Sequence, residues 1–267
     1  MTDLLHYETV LRLGCFCTVL LAMMLWEWRA PRRTLTLART RRWPANLGII
    51  VVDSVALRLV FPMLAVGAAG LAEINGWGLF RWLHVPLWLA LIASLLLLDL
   101  AIYTQHVVFH KVPALWRLHR MHHTDLDFDV TTALRFHPLE IVLSMLIKLA
   151  LVVLLGAPPV AVMLFEIILN ATAMFNHGNV GLPDGLDRRL RWVLVTPDMH
   201  RVHHSVRVEE TDSNFGFNLP WWDRLFGTYR EQPQDGHSGM TIGLEYFRDW
   251  RATRLYGLLL QPFLIEK

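Results

Sequence analysis

Residues 115–123 read Leu115-Trp116-Arg117-Leu118-His119-Arg120-Met121-His122-His123. Residues three and four apart lie on one face of an α-helix, so the three histidines of this stretch can direct neutral imidazoles towards one site. The same spacing recurs at residues 200–204, and a pair spaced by four residues precedes both stretches. The eight histidines concerned are His106, His110, His119, His122, His123, His200, His203 and His204. Eight imidazoles exceed what one four-coordinate zinc or one six-coordinate iron binds, so the pattern predicts two metal ions.

The composition indicates a membrane protein. Of the 267 residues, 54% are hydrophobic and only 18% are charged, and the mean hydropathy is +0.37, which is rare among soluble proteins. Apolar stretches that approach the length of a bilayer crossing lie at about 11–28, 44–72, 82–104 and 141–175. Ala157-Pro158-Pro159 divides the last stretch into a hairpin of two short helices, because proline ends helices. The N-terminal run ends in Trp26-Glu27-Trp28 and not in a small-residue cleavage site, so we expect the first span to be retained.

The charge of the loops predicts the topology. Six arginines and no acidic residue lie between Arg29 and Arg42, whereas the loop around Glu73 to Arg81 is nearly neutral. The positive-inside rule places the arginine loop in the cytoplasm. Counting spans from that loop then brings all the histidine groups out on the same, cytoplasmic side. We therefore expect an all-α integral membrane helical bundle of four to five membrane helices, with a cytosolic helical cap that carries the histidines.

Three motifs together resemble one known family. The stretch 115–123, the stretch Met199–Ser205 and the string Trp221-Trp222-Asp223-Arg224-Leu225-Phe226-Gly227-Thr228-Tyr229 are similar to those of the fatty acid hydroxylase/sterol desaturase superfamily. The likeness extends from about Leu83 to Tyr229, over half of the chain. Below, the first histidine box is His106 and His110, the second is His119, His122 and His123, and the third is His200, His203 and His204. The order of the three boxes and the tryptophan-containing string are specific to that family in combination.

The resemblance implies a chemistry. In that superfamily a membrane bundle holds two iron ions, and the enzyme uses dioxygen to hydroxylate or desaturate a C–H bond of a lipid. Imidazole also suits zinc and copper, so the choice of iron, with zinc as a possible substitute, rests on the resemblance and not on the ligand type. His177 matches the isolated histidine that the family carries between its last two boxes and is expected to be a ligand. His137 also matches a family string, but Pro138 behind it makes a helix-start role equally plausible. No catalytic residue is expected beyond the metal ligands.

The remaining polar residues are expected to support the site. A ligating histidine usually donates its second N–H to a carboxylate, an amide or a carbonyl. Candidates near the boxes in sequence are Asp125, Asp127, Asp129, Glu140, Asn176, Asp198, Asp212 and Asn214. Thr196 and Pro197 are typical of a helix start before the third box. The lone histidines His6, His84 and His237 are expected at the surface or at the membrane interface.

We expect a single domain over residues 1–267, with N-terminal spans at 1–82, the catalytic histidine-box region at 83–229 and a C-terminal amphipathic cap at 230–267. Within this cap, Leu244–Phe263 mixes arginine with aromatic and aliphatic residues. That mixture favours either a basic amphipathic helix on an anionic leaflet or an ordinary cap helix. The expected membrane is a bacterial inner membrane or one of the ER type.

The expected partners are a membrane lipid substrate and a separate electron donor, of the ferredoxin or cytochrome type with its reductase; no nucleic acid is expected. Fatty acyl, sterol, hopanoid, ether-lipid and carotenoid substrates all remain open, as does the oligomeric state. A bis-histidine haem carrier would need its histidines inside the membrane, and an intramembrane zinc protease would need a His-Glu pair that is absent. The alternative function is a non-catalytic, histidine-rich protein that binds or transports metal, although a transporter usually places ligands near the bilayer midplane.

Overall fold

The computed structural model describes residues 5–265. Within that range the chain is helical and has two isolated β-bridges but no strand. The long helices are α1 (Glu8–Arg29), α2 (Arg39–Val60), α3 (Ala65–Ile74), α5 (Leu87–Lys111), α6 (Pro113–His123), α7 (Pro138–Leu155) and α8 (Pro159–Asn176). The short helices are α4 (Leu79–Trp82), α9 (Asp184–Leu190), α10 (Pro197–His203), α11 (Val208–Thr211), α12 (Trp221–Leu225), α13 (Gly236–Gly239) and α14 (Leu255–Leu260). Three 3₁₀ turns lie at Val130–Leu134, Trp250–Ala252 and Gln261–Phe263.

Five segments of residues 5–265 are long and apolar enough to cross a membrane. They are Glu8–Arg29, Arg39–Trp82, Leu87–Lys111, Pro138–Leu155 and Pro159–Asn176. Many of their large apolar side chains are exposed, which suits contact with lipid. This architecture confirms the predicted all-α integral membrane bundle.

The histidines lie at one end of the bundle, and the hairpin turn lies at the other. Helix α7 starts beside the histidines, where Glu140 contacts His119, and it ends at Gly156, which touches Gly78 of the opposite loop. Helices α1, α5 and α8 run towards the histidine end, and α2 and α7 run away from it. An apolar core that includes Leu98, Met145 and Val162 fills the bundle between the two ends. The predicted hairpin at Ala157-Pro158-Pro159 is present, with Gly156 in the left-handed conformation as the cap of α7.

The apolar stretch predicted over 44–72 lies within the membrane segment Arg39–Trp82, in which the helix is interrupted. Helix α2 ends at Val60, and α3 begins at Ala65, with an extended segment between them. Pro62 lies in this segment; it has no N–H to donate and disfavours a helical conformation at Phe61. Helix α3 then packs on α7 and α8 near the far end of the bundle.

The C-terminal segment also differs from both sequence-based alternatives, because Leu244–Phe263 forms no continuous helix. It folds as two 3₁₀ turns and the six-residue α14, and Leu258 and Gln261 within it are buried. Carbonyl groups of this segment accept hydrogen bonds from arginines: Gln261 O from Arg120 and Ala252 O from Arg135. The segment therefore packs against the C-terminal half of α6.

Candidate metal centre

Four elements deliver the histidines to one place. The first box lies in the last two turns of α5, and the second box forms the end of α6. His177 is the C-cap residue of α8, and the third box occupies α10 and its C-cap. The hydroxyl of Thr196 accepts the backbone N–H of Met199, and Pro197 is the first residue of α10, so the predicted helix start is confirmed. This cap fixes the direction in which the third box points.

Nine of the ten predicted ligands converge in two adjacent groups. One group contains His106, His110, His119, His123 and His203, and the other contains His122, His177, His200 and His204. Within each group, the candidate ligand nitrogens lie within 4.8 Å of one another. The boxes do not map one to one onto the groups, because the second and third boxes each contribute to both. The two groups also touch each other, since the rings of His123 and His204 stack at 4.6 Å.

The hydrogen bonds of the ring nitrogens determine where the lone pairs point. His106 Nδ1 donates to the carbonyl of Phe215 at 2.7 Å, and His203 Nδ1 donates to that of Ser213 at 2.7 Å. In a neutral imidazole the other nitrogen then carries a bare lone pair. The Nε2 atoms of these two histidines lie 3.0 Å apart, so two lone pairs face each other in a buried site. Such an arrangement is repulsive unless a cation lies between the nitrogens.

The same pattern occurs in the rest of the centre. His119 Nδ1 contacts Glu140 Oε1 at 2.7 Å, and His119 Nε2 lies 3.1 Å from His106 Nε2. In the second group, His177 Nδ1 donates to the carbonyl of Ala173 at 2.8 Å. His177 Nε2 lies 3.1 Å from the Nε2 atoms of both His122 and His200. An ion about 2.1 Å from each nitrogen would place neighbouring ligands of an octahedral site about 3.0 Å apart, so these spacings fit metal binding.

Burial keeps the centre free of protons. The side chains of His177, His200 and His203 have no exposed surface, and burial lowers the pKa of His177 and of His203 to about 3. Burial, together with neighbouring imidazoles, also holds the pKa of His122, His123, His200 and His204 well below the ordinary value. Neutral imidazole is the form that binds metal.

Several ring nitrogens of the centre have no hydrogen-bond partner among the described residues. These buried atoms include Nε2 of His110, Nδ1 of His122, His123 and His200, and both ring nitrogens of His204. A buried polar atom without a partner is costly, so such a concentration in one place indicates a metal-binding site. The residues therefore fit a pair of metal ions, with His119 and His106 oriented by Glu140 and by the backbone.

His137 and His237 lie outside the two groups. His137 is the N-cap residue of α7: its Nδ1 accepts the backbone N–H of Leu139 at 3.2 Å, and its Nε2 contacts the carbonyl of Leu259 at 3.2 Å. Of its two predicted roles, the structure favours the helix start over the ligand. His237 was expected at the surface but is buried, and its Nε2 lies 3.6 Å from Asp198. His84, by contrast, is exposed.

Of the predicted supporting carboxylates, two touch a histidine of the centre. Glu140 contacts His119, and Asp212 lies 3.4 Å from His110 Nδ1. Asp125 and Asp129 instead bind Arg42 of α2 in ion pairs of 2.7 and 2.8 Å, with all three side chains buried. Burial by itself raises the pKa of Asp125, but the guanidinium groups of Arg42 and Arg135 outweigh it and hold this pKa well below its usual range.

Asp223 was missed as a supporting residue. Its carboxylate accepts the backbone N–H groups of Phe215 and Gly216 at 2.8 and 2.9 Å. The carbonyl of that same Phe215 orients His106. The sequence offered a reason to consider Asp223, because this residue lies in the tryptophan-containing string that carries the family resemblance.

Aromatic rings separate the centre from its surroundings. Phe136 stacks on His122 at 4.5 Å, and Phe128 stacks on His177 at 5.5 Å. Phe215 and Phe217 contact His106 from another side, at 5.4 and 5.3 Å. Apolar walls of this kind exclude water and strengthen the electrostatic interactions inside the site.

A membrane helical bundle that carries nine histidines together at one end defines a class of membrane protein with a buried, histidine-rich metal centre. The profile of the fatty acid hydroxylase family matches residues 91–228 of the chain. This match covers more than half of the chain and includes all nine histidines, so the chain belongs to the fatty acid hydroxylase family.

Curated relatives share the same region. The chain is 28% identical over 178 residues to the ornithine lipid hydroxylase OlsE of Rhizobium tropici, covering 67% of this chain and 51% of that protein. It is 26% identical over 187 residues to the alkylglycerol monooxygenase of Xenopus tropicalis, covering 66% of this chain and 39% of that protein. A cholesterol 25-hydroxylase-like protein of Danio rerio is 32% identical over 142 residues, covering 52% of this chain and 54% of that protein. The chain thus aligns with about half or less of the length of these relatives. No solved structure matches it.

Proposed function

We propose that this protein is a di-iron monooxygenase that hydroxylates a C–H bond of a membrane lipid. The observation that carries the proposal is the set of imidazole lone pairs that converge in two adjacent, buried groups. Two groups favour two ions, and the family resemblance favours iron. Bound iron would supply the activation of dioxygen and the oxidation of the C–H bond, which amino-acid side chains cannot perform.

The chain's own residues hold and insulate this chemistry. Glu140 and the carbonyls of Phe215, Ser213 and Ala173 fix the tautomer and the orientation of four imidazoles. The rings of Phe128, Phe136 and Phe217 keep bulk water from the centre. In the overall reaction, one oxygen atom enters the C–H bond and the other leaves as water, so a separate donor must supply two electrons, with two protons from solvent.

Lipid is the substrate class that the surroundings favour. The centre lies at one end of a bundle whose outer surface is apolar, and core residues such as Ile102 and Leu169 lie directly beneath it. The relatives are named for activity on an ornithine lipid, an alkylglycerol and cholesterol, three different lipids. All three names denote hydroxylation or monooxygenation, so we propose hydroxylation over desaturation. The arginine loop favours a centre on the cytoplasmic side.

Lipid mass spectrometry of cells that express the intact protein or its His203→Ala variant tests the proposal. With the intact protein, a membrane lipid should gain one oxygen atom, and this atom should come from labelled dioxygen. His203→Ala should give no such product, whereas His84→Asn should match the intact protein, because His84 is exposed and asparagine tolerates its positive φ of 51°. Iron binding without any oxygenated lipid would instead support a non-catalytic metal-binding protein.

A further inference from the structure

A band of large apolar side chains lies exposed beside the histidine end of the bundle. Trp192, Val193, Trp221, Leu225 and Phe226 are between 44% and 69% exposed. They come from the segment after α9 and from α12, which are too short to count as membrane spans. We call these five residues the aromatic shelf. Exposed apolar patches of this kind mark a surface that faces a partner or a membrane.

The depth of the shelf follows from its contacts with α5. Trp222 Nε1 donates to Asp99 Oδ2 at 2.8 Å, and Asn218 Nδ2 donates to Asp99 Oδ1 at 2.8 Å. Asp99 precedes His106 by seven residues, which places it about 10 Å further towards the far end of the bundle. Leu98, its neighbour, belongs to the apolar core of the bundle. Residues 218–226 therefore reach past the histidines to the level of the membrane-spanning helices.

The shelf packs against α5, which also carries exposed apolar side chains. Phe226 stacks on Tyr103 of α5 at 5.5 Å, and the Tyr103 hydroxyl bonds to that of Thr228 at 2.9 Å. Leu97 and Val108 are exposed on the same helix, each by 40%. A surface beside such a helix at this depth meets lipid acyl chains and not water.

Cationic side chains at the shelf complement an anionic leaflet. The guanidinium of Arg224 lies over the ring of Trp192 at 4.2 Å, and Arg188 and Arg189 are exposed on α9. Tryptophan at the level of lipid headgroups, with arginine beside it, is typical of elements that lie in the membrane interface.

We propose that the aromatic shelf is immersed in the leaflet on the histidine side, so that α12 and the segment after α9 form a membrane-embedded flank of the centre. These segments, which the sequence analysis assigned to a cytosolic cap, are then anchored in lipid next to α5. The occupant of this surface is the bilayer itself.

Spin-label accessibility in lipid vesicles of phosphatidylcholine and phosphatidylglycerol tests this proposal on the full-length chain. In a background with Cys15→Ala and Cys17→Ala, single cysteines are introduced as Val193→Cys and Leu225→Cys and labelled with a nitroxide. Leu97→Cys on α5 provides the lipid reference. Val208→Cys provides the aqueous reference, because Val208 is 71% exposed near Asp212, which pairs with Lys111 at the C-terminal end of α5.

We expect labels at Val193 and Leu225 to relax faster with oxygen than with a water-soluble nickel chelate, as at Leu97. The label at Val208 should show the opposite order. Nickel accessibility at positions 193 and 225 equal to that at 208 would overturn the proposal. Protection of both positions from both reagents would also overturn it, because a protein partner or a second copy would then cover the shelf.

Discussion

At the scale of single residues, the centre depends on what each imidazole does with its second nitrogen. Where Nδ1 donates to a fixed acceptor, the tautomer is set, and Nε2 is left to bind metal. Glu140 is the side chain that accepts from such a nitrogen, at 2.7 Å from His119, and Asp212 lies further away, at 3.4 Å from His110 Nδ1. The other acceptors are backbone carbonyls, which substitution cannot remove.

Replacing Glu140 should therefore weaken metal binding. In Glu140→Gln the neutral amide can still accept from His119, but it no longer stabilises the positive charge on the imidazole–metal unit. We expect the affinity for ferrous iron to fall about 10–100-fold, measured by competition with a chelator in detergent. Glu73→Gln, exposed near the end of α3 at the far end of the bundle, should bind iron like the parent protein. Unchanged affinity in Glu140→Gln would contradict the role assigned to this contact.

His137 offers a test that separates a helix cap from a ligand. Asparagine caps helices well, whereas alanine does not, so His137→Ala should lower the free energy of unfolding by about 1 kcal/mol and His137→Asn by less. Both variants should keep the iron content of the parent protein, measured by elemental analysis. Loss of iron from His137→Asn would show that His137 is a ligand after all.

The histidines show most clearly how much of the site the sequence could predict. Spacing identified eight of the nine side chains that come together, because residues at i, i+3 and i+4 share a helix face, and the family resemblance added His177. It could not assign His122 to a different group from His119 and His123. That division depends on how α6 is rotated against α8 and α10, which is a property of tertiary packing. His137 could not be resolved either, since ligands and caps both use a ring nitrogen.

At the scale of elements, the arginine loop has two functions that the sequence pattern could not separate. Its arginines were all taken as topology signals, yet Arg42 is buried and binds Asp125 and Asp129, whereas its neighbour Arg41 is exposed. Asn46, one turn later on α2, also donates to Asp125. These contacts join the start of α2 to the segment that follows the second histidine box.

Arg42→Ala should consequently be far more damaging than Arg41→Ala. Removing the Arg42 guanidinium takes the ion-pair partner from the buried Asp129 and leaves Asp125 with the more distant Arg135 at 3.8 Å, which costs about 3–5 kcal/mol. Arg41→Ala removes an equal charge from the same loop and should change the free energy of unfolding little. Denaturation in detergent micelles measures both variants. Equal stability of the two variants would refute the structural role of Arg42.

At the scale of the whole molecule, the predicted topology rests on the direction of each span. The sequence correctly predicted that all histidine groups meet at one end, because the number of crossings between the boxes is even. The sequence did not show that α2 ends at Val60, nor that residues 244–263 pack against α6. Both features depend on side-chain packing and not on hydropathy. Which side of the membrane holds the centre stays a prediction of the arginine loop.

Thiol labelling in intact cells tests this orientation. In a background without Cys15 and Cys17, cysteines introduced as Thr40→Cys and Val208→Cys should resist a membrane-impermeant reagent until the membrane is opened. Asn75→Cys, at the far end of the bundle, should react from outside. All three positions are exposed. Reaction of Val208→Cys but not Asn75→Cys in intact cells would reverse the proposed orientation.

The buried imidazoles also predict how the metal-free protein responds to acid. The unfolded chain takes up protons on histidine below about pH 6.5, whereas in the folded chain the pKa of His177 and of His203 is about 3. The unfolded state therefore binds more protons below pH 6.5, and folding stability falls as the pH falls. Thermal unfolding of chelator-treated protein should show a constant midpoint above pH 7 and a steep decrease towards pH 5. A midpoint that stays constant down to pH 5 would contradict neutral burial.

The iron content of the purified protein shows directly whether the nine histidines hold two iron ions. Protein stripped with a chelator is reloaded anaerobically with ferrous iron, freed of excess metal and analysed for iron per chain. We predict about two iron atoms per chain. The double variant His177→Ala/His200→Ala should bind about one, because its group of four has lost half of its ligands while the group of five is intact. One iron or none in the parent protein would contradict the account.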